Sequence, residues 1–64
     1  MNDVIGKRIV GKLNGSMVSG VIFESRMRYQ EIIYYVDLDN PITTFTGERT
    51  ECILRNSNVL SIGE

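Results

Sequence analysis

Histidine and tryptophan are absent from this 64-residue chain, and cysteine and proline occur once each, as Cys52 and Pro41. With a single thiol no internal disulfide can form, and without histidine the common zinc-finger spacings do not exist, so the sequence implies no metal and no other cofactor. The same shortage leaves few groups for nucleophilic or general-base chemistry, and a non-catalytic role is expected. No apolar run approaches the roughly 20 residues of a membrane span, and Met1-Asn2-Asp3 is unlike a secretory signal. A lone thiol fits a reducing compartment, so the expected setting is soluble and cytoplasmic, away from membranes.

A chain of this length holds one domain, residues 1–64, without repeats, low-complexity segments or linkers. Such a domain buries only about 60% of its unfolded surface. With disulfides and metals excluded, self-association is the remaining support for a small core. The charge is close to balanced, with seven lysines and arginines against eight acids. A nucleic-acid binder usually carries a basic excess, so the distribution of charge matters more than its sum. Arg26 and Arg28 lie two residues apart and Arg55 sits at a corner, whereas Asp37, Asp39, Glu48, Glu51 and Glu64 fall elsewhere. That pattern suggests a neutral body with a local cationic rim.

Strand signals run along most of the chain, and helical periodicity is slight. Arg8 to Leu13 alternates weakly and meets Asn14-Gly15, a strong hairpin signal because both residues tolerate positive φ. Asn14-Gly15-Ser16 also fits a glycosylation sequon, but the turn reading is favoured. From Met17 to Glu24, Val18, Gly20 and Ile22 share one face while Met17, Ser19, Val21 and Phe23 share the other. A strand apolar on both faces has to be covered twice, and Gly20 at its centre marks a bend or bulge. Ser25 to Gln30 interrupts the pattern. Glu31 to Leu38 is β-branched and aromatic, as a central strand should be.

Residues 39–48 carry the proline, a glycine and several turn formers, and read as a loop whose one aromatic is Phe45. Asp37-Leu38-Asp39-Asn40 lacks the long ligand loop and closing glutamate of a calcium site and reads as a strand running into a turn. Arg49 to Leu54 alternates as a fourth strand and Asn58 to Ile62 makes a fifth, with Arg55 and Asn56 turned outward at the corner between them. Cys52 reads as a small packed residue. The expectation is all-β: a five-stranded, strongly bent antiparallel barrel, with an N-terminal helix of one turn at most.

Two segments carry a resemblance. Asn14 to Ile22, with its Asn-Gly turn and central Gly20, resembles the first motif of Sm-like (Sm/LSm) RNA-binding proteins. Leu54-Arg55-Asn56-Ser57-Asn58-Val59-Leu60-Ser61-Ile62 is similar to the second motif, with Asn56 where the family has glycine. The resemblance covers residues 7 to 62. Counted from Gly20, the family's aspartate, base-stacking, methionine and asparagine positions are filled by Arg26, Arg28, Tyr29 and Gln30. It implies a homo-oligomeric ring in which the fourth strand of one subunit pairs with the fifth of the next, collecting Arg26, Arg28 and Arg55 around a pore. The expected ligand is single-stranded RNA rich in uridine or adenine, with a base stacked on Arg28 or Tyr29 and read by Gln30. Arg55 and Asn56 would complete the pocket, Arg26 would set the pore electrostatics, and the role would be that of an RNA chaperone or scaffold. The competing reading is a small-barrel interaction adaptor that grips a protein through an edge strand or the 39–48 loop.

Overall fold

The computed structural model describes residues 2–63, which form a single antiparallel sheet. After a 3-10 turn at Asn2–Val4, the strands are β1 (Arg8–Leu13), β2 (Ser16–Arg28), β3 (Glu31–Thr44), β4 (Gly47–Arg55) and β5 (Val59–Ile62), with a second 3-10 turn at Asn56–Asn58. Their spatial order is β4-β3-β2-β1-β5. The all-β, five-strand expectation therefore holds, but the closed and strongly bent barrel does not. The sheet is open, and β4 and β5 are its two edges, with no pairing between them among the described residues.

Local chemistry explains the first hairpin. Asn14 and Gly15 adopt φ of 53° and 85°, the doubly left-handed turn whose twist matches the flanking strands, and Leu13 then pairs with Ser16. Alternation sends Ile9 and Gly11 of β1, Val18, Gly20 and Ile22 of β2, Tyr34, Val36 and Leu38 of β3, and Leu54 of β4 to one face. Ile9, Ile22, Val36 and Leu54 have no accessible surface, and Val59 and Ile62 of β5 pack against this cluster. The sheet is concave enough on this face for Leu54, on β4, to reach Gly11, on β1: a β-carbon added at Gly11 would stand 2.9 Å from a Leu54 methyl.

Gly20 has a different task from the bend the sequence suggests. It lies in register between Ile9 and Leu38, and an added β-carbon would sit 2.2 Å from the carbonyl oxygen of Asp37 and 2.8 Å from Val36. Only a residue without a side chain lets β2 and β3 approach this closely. The bend falls three residues later. Ile22 pairs with Val36, yet Glu24 pairs with Tyr35, so Phe23 is an extra residue in β2.

The 39–48 segment is not a loop. β3 continues to Thr44 and β4 starts at Gly47, leaving only Phe45 and Thr46 between them. The polar and proline-containing stretch is absorbed instead by a register shift between Asp37 and Ile42, where Pro41 need not supply a ladder N–H. The turn is fastened by Thr44, whose hydroxyl donates to the Gly47 carbonyl at 2.8 Å and accepts the Thr46 N–H at 3.2 Å. Asp37 to Asn40 is likewise strand, and Asp39 spends its carboxylate on Arg8 and on the Ser19 hydroxyl.

Only one face of β2 is covered. Met17 and Phe23 remain 64% and 45% exposed, so the double covering implied by two apolar faces is not met within one chain. The accessible surface is 4596 Å², against about 4,200 Å² expected for a compact monomer of this mass. Replacing Gly20 by alanine forces a carbonyl and a fully buried valine apart; an equilibrium urea melt of Gly20→Ala should show a loss of about 2 kcal/mol or more, in the range for overpacked cores. A wild-type midpoint would refute the close-approach assignment.

Candidate nucleic-acid interface

The extra residue at Phe23 determines which side of the sheet the arginines occupy. Uninterrupted alternation from Gly20 and Ile22 would put Glu24, Arg26 and Arg28 on the core face. The one-residue shift moves them to the opposite face, while Ser25 and Met27 take the positions across from Tyr34 and Ile32. Arg26 and Arg55 both pair with Ile33, so the two arginines flank that side chain across three adjacent strands. Ile33 is 8% exposed although it lies outside the core cluster, on the face opposite Tyr34.

The turn from β2 to β3 consists of Tyr29 and Gln30 alone, with φ of 51° and 65°. Neither is glycine or asparagine, and left-handed backbone at such residues costs on the order of 1 kcal/mol each. The result is that Tyr29 stands 92% exposed at the tip. The Arg28 guanidinium lies 5.7 Å from its ring centroid, a cation–π spacing. Asn56, which stands where the family has glycine, does not adopt positive φ. Arg55 is extended, with φ −78° and ψ 148°, and Asn56 opens the 3-10 turn instead.

Arg28, Tyr29, Glu31, Ile33, Ile53 and Arg55 line an open cleft of about 370 Å³. Three of the residues marked by the sequence, Arg28, Tyr29 and Arg55, are thus brought together from two corners distant in the chain. The other three are not among its lining residues. Gln30 is exposed at the turn. Arg26 pairs with Glu24 at 3.2 Å. Asn56 turns its side-chain oxygen toward Tyr34, whose hydroxyl donates to it at 3.3 Å. Sequence pattern does not single out Glu31, Ile33 or Ile53, which look like ordinary strand residues. A charged residue opening an otherwise apolar strand is the one signal that marks Glu31.

Glu31 is the best-tied side chain of the cleft. Arg55 Nε–H donates to its Oε1 at 2.9 Å and the Ser57 backbone N–H donates to its Oε2 at 3.0 Å. Hydrogen bonding from Ser57, then from Arg55, holds its carboxyl below the ordinary 4.5. Asp39 is held below 3.8 by Arg8 first and then by Ser19. Burial pushes the Cys52 thiol up from 9.0, which disfavours the reactive thiolate at neutral pH.

A carboxyl whose folded-state value is depressed contributes stability above its unfolded value, and that stability is lost as pH falls through the folded one. Urea melts between pH 5 and 2.5 should therefore show stability falling below the ordinary carboxylate values. Glu31→Gln and Asp39→Asn should each flatten part of that acid limb, and an unchanged limb in both variants would contradict these pairings. No protein-family model, curated protein or solved structure matches this chain.

Proposed function

We propose that this protein is a non-catalytic, Sm-like RNA-binding subunit that assembles into a homo-oligomeric ring and binds single-stranded RNA at the cleft between the Tyr29 turn and the Arg55 corner. The observation that carries the reading is the cleft itself, where one exposed aromatic and two arginines converge without a catalytic constellation. Every base has a π-face, so stacking on Tyr29 would contribute about 1–3 kcal/mol per base without demanding a sequence. Arg28 covers one face of the ring and leaves the other to a base, while Arg55 offers its guanidinium to phosphate. Gln30, one residue along the same turn, has an amide that can donate to and accept from a base edge.

Strand order supports the assembly. β4 and β5 are the two unpaired edges, and each shows a large apolar side chain to solvent, Ile53 at 49% and Leu60 at 55%. Exposed edges invite pairing, and head-to-tail pairing of β4 with β5 of the next copy consumes both and closes into a ring if the rotation permits. Repeating the cleft around the ring multiplies weak single-nucleotide contacts, so a chain of net charge −1 can still hold a polyanion.

A second reading rests on Phe45, which is fully exposed at the tip of the β3–β4 hairpin. An adaptor could present that ring, with the free β4 edge beside it, to a partner protein.

Native mass spectrometry separates the two. The ring reading expects a closed multiple of the 7.3 kDa chain at micromolar concentration, and Leu60→Lys, which places a charge on the β5 edge, should shift it to monomer. A monomeric wild type would overturn the ring. For the ligand, anisotropy with short oligo-uridine and oligo-adenine is expected to show binding that Tyr29→Ala and Arg55→Ala each weaken by about tenfold, or about 1.4 kcal/mol. Arg55→Ala should also lower the slope of log K against log salt by about 0.7 for each phosphate that is no longer neutralised. Unchanged affinity in both variants would remove the site assignment.

A further inference from the structure

We propose that Glu31 is the positioning residue of this cleft: its carboxylate fixes Arg55 and the β4–β5 corner so that the terminal guanidinium nitrogens face a phosphate of single-stranded RNA. The inference deepens the RNA-binding reading and rests on it. Neither residue spacing nor the family resemblance points to Glu31.

Glu31 stands where the two halves of the cleft meet. It is the first residue of β3, directly after the Tyr29–Gln30 turn, and it pairs in register with Arg28. From there its two oxygens reach across to the other corner, one to Arg55 Nε–H at 2.9 Å and one to the Ser57 N–H at 3.0 Å. A side chain on the stacking turn thereby holds both the arginine and the backbone of the corner that presents it. It adds a polar tie between the halves to the backbone ladder that joins Ile33 and Arg55.

The geometry of arginine sets the consequence. A guanidinium carries five N–H groups in a rigid fork, and committing Nε–H to Glu31 leaves the four on the terminal nitrogens for a second, bidentate partner. The exposures match this division: the Glu31 side chain is 24% accessible and that of Arg55 67%. The carboxylate is the covered partner and the guanidinium the presented one. Holding a long side chain before the ligand arrives also removes ordering entropy from the binding step.

A carboxylate in an anion-binding cleft repels phosphate as well, and the two effects have opposite signs on its removal. Positioning predicts weaker binding when Glu31 is replaced, whereas net repulsion predicts tighter binding. The partners on both oxygens are the reason positioning prevails, because each oxygen of Glu31 is already engaged, one by Arg55 and one by the Ser57 N–H.

The test is a double-mutant cycle on the full chain, read by anisotropy with oligo-uridine and oligo-adenine. Glu31→Ala should weaken binding by about tenfold, as Arg55→Ala does, and the double variant should be no weaker than Arg55→Ala alone, since Glu31 acts only through Arg55. Glu31→Gln keeps an acceptor and should retain most of the affinity. In parallel, the Arg55 Nε–H resonance should be protected from exchange in the wild type and lose protection in Glu31→Ala. Tighter binding by Glu31→Ala, or additive losses in the cycle, would overturn the positioning role while leaving RNA binding in place. A wild type that binds neither oligonucleotide, with the Arg55 resonance still dependent on Glu31, would overturn the RNA reading and this role with it. If Glu31→Ala does not fold, Glu31→Gln carries the comparison: wild-type Arg55 exchange together with tightened binding would overturn the proposal.

Discussion

The one-residue register shift at Phe23 governs what the far half of the sheet displays. In a strand the side-chain period is two, so one extra residue exchanges the faces for everything beyond it. Before Phe23 the even-numbered residues of β2 build the core, with Val18, Gly20 and Ile22 buried. After it the even-numbered residues are Glu24, Arg26 and Arg28, and the shift sends them to the opposite face, across from Tyr35, Ile33 and Glu31. Without it three charged side chains would point at the face that holds Tyr34 and Leu54. With it, Arg28 and Arg55 come to share a cleft.

Gly20 is the other half of that device. Its missing side chain lets β2 approach the Asp37 carbonyl, so the central pair of strands is tight just before the ladder slips. The core cluster that results is small, seven buried side chains among the described residues, and Met17, Phe23, Ile53 and Leu60 are all substantially exposed. Incomplete burial and two open edges are a single physical condition in a chain this short, and the proposed assembly rests on it. The left-handed turn at Tyr29 and Gln30 belongs to the same economy. Residues poorly suited to that conformation are held there by the ladder on either side, and the backbone strain puts an aromatic ring into solvent.

Much of the fold is legible because local rules decide it. Asn14-Gly15 specifies its turn, the shared face of Val18, Gly20 and Ile22 is read from alternation, and Tyr34 and Tyr35 divide between the faces as adjacent strand residues must. Residues 39–48 mislead because proline, asparagine and threonine are turn formers in isolation. Here a register shift accommodates Pro41 and Thr44 fastens a two-residue turn, so the strands run on through them. The site is half legible. Tyr29 and Arg55 stand out as an aromatic and a cation at corners, but Glu31 does not, because its partners are 24 and 26 residues away and only strand pairing brings them near.

By itself the sequence determined the all-β class with five strands, the first hairpin and the impossibility of an internal disulfide, since each follows from residue identity and short-range periodicity. Tertiary structure alone decided that the sheet stays open with β4 and β5 as edges, that the arginines lie on the face opposite the core, and that Glu31 holds Arg55. Those outcomes depend on register, and register is set by the sum of pairings across the whole sheet. A single inserted residue changes it without leaving a local mark.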